Sequence, residues 1–317
     1  MSTAWPGLRA RSSSEILGTF AWSGGPRVDC RVVIDDAQAA RARAGLAGTR
    51  FADVRWTAET GSTNADALEL GRAGEPEGIV VVADHQTAGR GRRGRRWEAP
   101  PGASLLCTVL LRPPARVAAA VTMAVSVAAA DAVAELTGRS PRLKWPNDLV
   151  WPGDGSGPDR KLAGILAELD WPAGATIADG WREPAPTDRL VVAVGIGLNV
   201  AWGADAPAEL ADVAVALDHL TAPEPPPDRA AVLVALGRHL DERYAALLAG
   251  PEGLDDLRRA WRDRSATLGR RVRVDLGADD LEGTAVDVTA EGHLVVETLE
   301  GERRTVAVGD VVHLRPA

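Results

Sequence analysis

Ordered alternation of apolar and polar positions begins only near residue 53. Residues 1–48 are rich in Arg, Ala, Gly and Ser and show little periodicity. Residues 31–34 suit a strand and 37–44 a short helix, but neither buries enough apolar surface to build a core. This segment is therefore expected to be an N-terminal extension, a tail or a loosely docked piece. Val54-Arg55-Trp56 predicts a strand, and residues 61–74 a loop entering a helix, with Ser62 or Thr63 placed to cap it and Asp66 as a capping-box acid. Unbroken apolar runs at 79–83 and 105–111 predict buried strands, the second stopped by Pro113-Pro114. A helix is expected over 116–136, ended by Gly138. Further strands are expected at 143–145, 149–151, 162–169 and 190–200, and helices at 228–249 and 253–264. Strands and helices mix without strict alternation, which predicts an α+β domain over 49–266, a mixed sheet with packed helices rather than a doubly wound fold.

The pattern changes after Leu268. Five short strand-like runs at 271–274, 282–288, 293–297, 303–308 and 311–314 are separated mostly by turn signals at Gly277, Glu291-Gly292 and Glu300-Gly301. They predict a small SH3-like β-barrel over 267–317. Residues 152–160 and 172–188 are Gly/Pro/Asp-rich and read as surface loops.

Composition narrows the function classes. A chain of 317 residues with 45% hydrophobic content supports one large domain plus a small one. A net charge of −8 argues against a broad nucleic-acid or anionic-membrane surface, so any anion binding is local. Cys30 and Cys107 are far apart and match no metal spacing, which fits a reducing compartment. The longest apolar stretch, 117–134, is broken by Thr122, Ser126 and Asp131 and reads as a packed helix rather than a membrane span. With no continuous apolar signal core at the N-terminus, a cytoplasmic location is expected.

Of 36 basic residues only two, Lys144 and Lys161, are lysine, and the only asparagines are Asn64, Asn147 and Asn199. All five lie in short segments with chemical content. The loudest segment has no lysine: Gln86-Thr87-Ala88-Gly89-Arg90-Gly91-Arg92-Arg93-Gly94-Arg95-Arg96-Trp97. Its glycines let backbone approach a ligand, its arginines offer forked donors to phosphate or carboxylate, and Trp97 offers a stacking face. It fits neither the Walker spacing nor a dinucleotide fingerprint, and a solvated basic loop or RGG-like segment is the bland alternative. Such a loop is expected to order only when an anion completes it. In Lys144-Trp145-Pro146-Asn147-Asp148 the proline turns a strand so as to aim Asn147 and Asp148 at one place, unless this is an ordinary turn. Asp148 is suited to hold Mg²⁺ or to orient an amine. Lys161 opens an apolar strand in which Gly164 leaves space against the sheet. Gly195-Ile196-Gly197-Leu198-Asn199 implies either a β-bulge or close approach of a ligand, with Asn199 able to read a base edge. The histidines are scattered, so a histidine metal site is not expected.

Taken in order, Gly-Ser-Thr-Asn, the arginine loop, Lys-Trp-Pro-Asn-Asp, Lys-Leu-Ala-Gly-Ile-Leu and Gly-Ile-Gly-Leu-Asn resemble the biotin protein ligases over residues 53 to 317. The resemblance implies a biotinyl/lipoyl ligase, class II synthetase-like fold and a two-step reaction. ATP activates biotin to biotinyl-5′-AMP, with Mg²⁺, and a lysine of a biotin carboxyl carrier domain of an acyl-CoA carboxylase then takes the acyl group. By motif, Ser62, Thr63, Asn64, Gln86 and the backbone near Gly89 and Arg90 would hold the ureido ring. Lys161 and Arg92 would neutralise the carboxylate and phosphate and, with Asp148, act in catalysis. Arg95, Trp97, Asn147, Asp148 and Asn199 would meet the nucleotide, with Asp148 as the metal ligand, and Gly164 and Gly195 would line the biotin tail's channel. Residues 1–52 lack the winged helix-turn-helix of family members that repress transcription, so a ligase without DNA or membrane binding, monomeric or weakly dimeric, is expected. A lipoate- or octanoate-transferring relative is the nearest rival, and a nucleic-acid-binding module a more distant one.

Overall fold

The computed structural model describes residues 36–152, 158–171, 183–203, 210, 212–276, 280–307 and 309–314. The expected strand at 31–34, Cys30, the turn at Gly277 and most of the loop at 172–188 lie outside the described residues. Helices are α1 (Asp36–Gly45), α2 (Thr63–Arg72), α3 (Ala115–Ala118), α4 (Val121–Thr137), α5 (Leu217–Thr221), α6 (Arg229–Ala249) and α7 (Pro251–Asp263). Strands β1 (Val54–Thr60), β2 (Val80–Gln86), β3 (Ser104–Leu111), β4 (Arg142–Lys144), β5 (Asp148–Trp151), β6 (Arg160–Asp170) and β7 (Val191–Asn199) form one sheet in the order β1-β2-β3-β7-β6-β5-β4. Only β1 and β2 pair in parallel, so the sheet is mixed, as the lack of strict alternation implied. Strands β8 (Arg271–Asp275), β9 (Asp280–Val288), β10 (Leu294–Glu297), β11 (Arg303–Val306) and β12 (Asp310–His313) form a second, antiparallel sheet in the order β11-β10-β9-β8-β12.

Side-chain parity decides which face of the large sheet is core. Val192, Val194, Ile196 and Leu198 of β7 join Leu105, Cys107, Val109 and Leu111 of β3 in one apolar cluster with α4, α6 and α7. Many of the side chains of α4 are alanine, which lets the helix lie close to both the sheet and α6. The opposite face is covered in part by α2, over Ile79, Val81, Leu110, Val191 and Ala193. Further along β7 the same parity carries Gly195, under the first turn of α2, and then Gly197 and Asn199, which α2 does not cover. That uncovered stretch is where a site can form.

Three expectations change. The N-terminal segment is not loose from Asp36 onward, because Ala39, Ala42 and Leu46 are buried and Leu46 packs beside Gly237 of α6. The helix expected over 116–136 is two helices, α3 and α4, and the short α5 had no clear signal. Asp66 does not form a capping box; its carboxylate accepts from Thr60 Oγ1 at 2.7 Å, and Ser62, at the N-cap, makes no side-chain cap bond.

The second sheet is joined to the first through the Trp145 turn. Trp145 N–H donates to Thr267 Oγ1 at 3.0 Å, and its indole Nε1–H donates to the Gly292 carbonyl at 2.9 Å. Nearby, Asp159 accepts from Arg270 at 2.8 Å and lies 3.3 Å from His313 Nδ1. Burial opposes ionisation of Asp159, but the His313 bond and the Arg270 charge bring its pKa down to about 2.

Candidate active site

The floor of the cavity is backbone. Gly197 pairs with Leu106 on β3 and Gly164 on β6, with no register break on β7, so the glycines are not a bulge. They are sites of close approach, and the indole of Trp97 fills the space. A Cβ at Gly197 would stand 2.7 Å from Trp97 Nε1, and one at Gly164 3.0 Å from Trp97 Cζ3 and 3.1 Å from Lys161 Nζ. The space at Gly195, read from sequence as room for a ligand, is taken by the side-chain oxygen of Asn64.

Asn64 is a bracket. Its Oδ1 accepts from Thr108 Oγ1 at 2.6 Å, and its Nδ2 donates to the Leu166 carbonyl and to Glu168 Oε2, at 3.1 and 2.8 Å. The entry of α2 is thus tied to β3 and β6. Thr63 N–H donates to Gln86 Oε1 at 2.8 Å, and Thr63 Oγ1 stands 3.0 Å from the same oxygen. Ser62, buried and uncommitted as a cap, lines the cavity next to them. Together these groups make a polar end wall of hydroxyls and amides.

At the other end stands a charged wall. Lys161 is aimed into the cavity by a bulge: β5 pairs Leu149 with Ala163 but Val150 with Lys161, leaving Leu162 as the extra residue. Leu162 turns into the core, and Lys161 comes out on the face of Gly164. Lys161 Nζ is 2.7 Å from Asp148 Oδ1 and 5.5 Å from the Trp97 ring centroid. The Asp148 contact is close enough to be an ion pair but is not aligned as a hydrogen bond, and that buried oxygen has no other partner. Asn147 donates to the Ile165 carbonyl at 2.7 Å, and its Oδ1 lies 3.5 Å from Arg92 Nη1. Asn199 donates to the Val215 carbonyl at 3.1 Å and the Lys161 carbonyl at 3.4 Å, so its amide steadies the backbone of Lys161.

The arginine loop closes the cavity. Gly89 itself does not line it; its missing Cβ leaves room for the Trp97 carbonyl, and its own carbonyl accepts from Trp97 N–H at 3.0 Å. Arg93 takes a left-handed conformation (φ 54°), unusual outside glycine. The expectation that only a bound anion orders this loop is replaced by internal anions. Arg93 donates to Asp275 Oδ2 and to the Asp275 carbonyl, both at 3.1 Å. Arg95 donates to Asp310 at 3.2 Å, and Arg92 donates to the Gly309 carbonyl at 3.2 Å and lies 3.6 Å from Asp310. Burial lowers the pKa of Arg92, with Asp310 acting against it. Arg90 turns the other way, to Glu168 Oε1 at 2.9 Å.

Ser62, Thr63, Asn64, Gln86, Arg90, Arg92, Arg95, Trp97, Asn147, Asp148, Lys161, Gly164, Gly195 and Asn199 therefore converge on one cavity, and of the expected site residues Gly89 alone does not line it. Sequence reasoning missed Thr108, Glu168 and Asp310. Thr108 had a signal, as the lone hydroxyl in the run Leu-Leu-Cys-Thr-Val-Leu-Leu, whereas Asp310 had none. Among the described residues no group of three or more His, Cys, Asp or Glu could hold a metal ion, and no helix is long and apolar enough to cross a membrane.

Residues 56–171 match the Biotin/lipoate A/B protein ligase family, and residues 267–314 match the Biotin protein ligase C terminal domain. The chain is 36% identical over 277 residues to a biotin--[acetyl-CoA-carboxylase] ligase of Mycobacterium tuberculosis, an alignment covering 85% of this chain and 92% of that one. It is 31% identical over 247 residues to the bifunctional ligase/repressor BirA of Bacillus subtilis, covering 77% and 69%. The biotin protein ligase of Aquifex aeolicus, solved in complex with biotin and ATP, is similar with a TM-score of 0.66 and 26% identity, covering 84% of this chain and 100% of that one.

Proposed function

We propose that this chain, which belongs to the biotin protein ligase family, converts biotin and ATP to biotinyl-5′-AMP and transfers the biotinyl group to a lysine of a biotin carboxyl carrier domain. It is a ligase. The observation that carries the finer reading is a single cavity with a neutral polar wall at Ser62, Thr63 and Gln86, a glycine floor, and a cationic wall at Lys161 and Arg92. That layout suits a ligand with a hydrogen-bonding ring at one end and a carboxylate at the other.

The first step brings a carboxylate oxygen to the α-phosphorus of ATP, forms the mixed anhydride and expels pyrophosphate. Two anions must meet, so fixed cations and positioning supply the catalysis, without an enzyme nucleophile. In this reading Lys161 and Arg92 neutralise the reacting oxygens, Arg95, Trp97 and Asn147 serve the nucleotide end, and Asn199, its amide held by the Val215 and Lys161 carbonyls, acts there by fixing the backbone of Lys161. In the second step a carrier amine attacks the acyl carbonyl, AMP leaves with its bonding electron pair, and the amine gives up a proton, with Asp148 assigned to orient that amine in this reading. Mg²⁺ shields triphosphate charge when bound. Asp148 would be its one protein carboxylate among the described residues, its Oδ1 now facing Lys161, with the remaining positions left to phosphate oxygens and water, as Mg²⁺ commonly accepts.

A role without repression is supported by the fuller alignment to a relative named only as a ligase than to one named as ligase and repressor. A division at 49–266 and 267–317, with cytoplasmic location and at most weak dimerisation, belongs to the same proposal. Incubation with ATP and either biotin or lipoate, read by mass spectrometry for the acyl adenylate, tests it. Biotinyl adenylate alone is the expected product, and lipoyl adenylate alone would move the chain to the lipoate branch.

A further inference from the structure

Lys144 is one of the two lysines of the chain, yet the reaction as described leaves it idle. Its side chain is half-buried and makes no hydrogen bond or ion pair among the described residues. Its register is informative. Lys144 on β4 stands directly across from Asp148 on β5, and Asp148 across from Gly164 on β6. Residues directly opposite in an antiparallel pair project from the same face, with Cβ atoms about 4.5–5.5 Å apart. The neighbouring pair, Leu143 and Leu149, is in the core, which leaves Lys144 and Asp148 on the cavity face. Lys161 reaches Asp148 from the other side, over Gly164. Asp148 is therefore a carboxylate between two ammonium groups, one in contact and one in reserve. Burial lowers the pKa of Lys144, with Asp148 and Asp159 opposing, so a closer anionic partner would relieve a standing desolvation cost.

The proposed reaction creates the need for that reserve. When Lys161 turns to the carboxylate of biotin it leaves Asp148, and a half-buried carboxylate is then left without its cation. We propose that Lys144 is a positioning residue that takes over as the counter-ion of Asp148 when the carboxylate of biotin draws Lys161 away. The exchange needs a compact charge on a flexible stem within the confines of a three-residue turn, which suits lysine better than the arginine used nearly everywhere else in the chain. This inference rests on the reading that Lys161 meets the carboxylate of biotin.

The test compares biotin with biotinamide, which keeps the ring and tail but lacks the charge. Binding is measured by calorimetry, without ATP or metal, for the wild type, Lys144→Met and Lys144→Arg. Loss of the reserve cation is expected to weaken biotin by about tenfold in Lys144→Met and leave biotinamide within about twofold, with Lys144→Arg recovering only part of the loss. Unchanged biotin binding by Lys144→Met, or equal loss of both ligands, would overturn the exchange while leaving the ligase reading intact. A wild type that binds no biotin would instead remove the reading on which the exchange rests, and the exchange with it.

Discussion

The floor of the cavity and the loop that closes it use opposite means to reach a fixed shape. The floor lies in two unbroken ladders, β3 with β7 and β7 with β6, and the side chains of Asn64 and Asn199 are spent on protein partners. The arginine loop has few backbone bonds of its own and is held by Asp275 and Asp310, which lie 182 and 215 residues further along the chain from the arginines they bind. Backbone ladders are short-range and insensitive to salt, whereas half-exposed ion pairs are weak and screened. A floor of the first kind stays preformed. Under the proposed reading, in which the same arginines meet the nucleotide, a loop of the second kind is built to exchange its internal carboxylates for a ligand's phosphate.

The contrast can be broken from the floor side first. Gly197→Val puts a branched side chain where the indole of Trp97 lies, and is expected to cost about 1–3 kcal/mol of overpacking, read as a lowered thermal midpoint together with loss of adenylate formation. A variant with wild-type stability and activity would mean that the floor does not need its glycine. Lys161→Arg keeps the charge but widens it at the bulge on β6. Adenylate formation is expected to fall at least about tenfold, roughly 1.4 kcal/mol of transition-state stabilisation, and wild-type rates would refute the role given to Lys161. The smallest effect belongs to the loop. Asp310→Asn removes one partly buried tether and is expected to change the apparent KM for ATP by about two- to fivefold at low salt, with the difference shrinking in high salt. An effect of that variant as large as that of Gly197→Val, or one indifferent to salt, would erase the distinction between the two regions.

Much of this division was legible before any coordinates. Continuous apolar runs marked β2 and β3, because burial on both faces leaves a mark on every residue, while alternation and turn signals marked the half-buried strands of the second sheet. Glycines inside a buried strand marked the floor, although what fills them proved to be Asn64 and Trp97. The docking of α1 was missed because its buried residues are mostly alanines, which carry little periodic signal. The aim of Lys161 was inaccessible to pattern reading. Strict alternation puts it on the same face as Ala163 and Ile165, in the core, and only the one-residue bulge against β5 reverses it.

The sequence by itself determined the elements, the order of the motifs and the chemistry they imply, since these depend on local pattern and residue type. The tertiary structure decided the neighbours: Asp310 beside the arginines, Thr108 against Asn64, Lys161 on Asp148, and Lys144 across from Asp148 in the strand register. Charge and hydrogen-bond pairing depend on a few ångströms in space, and residues far apart in the chain are brought within that range only by packing and register.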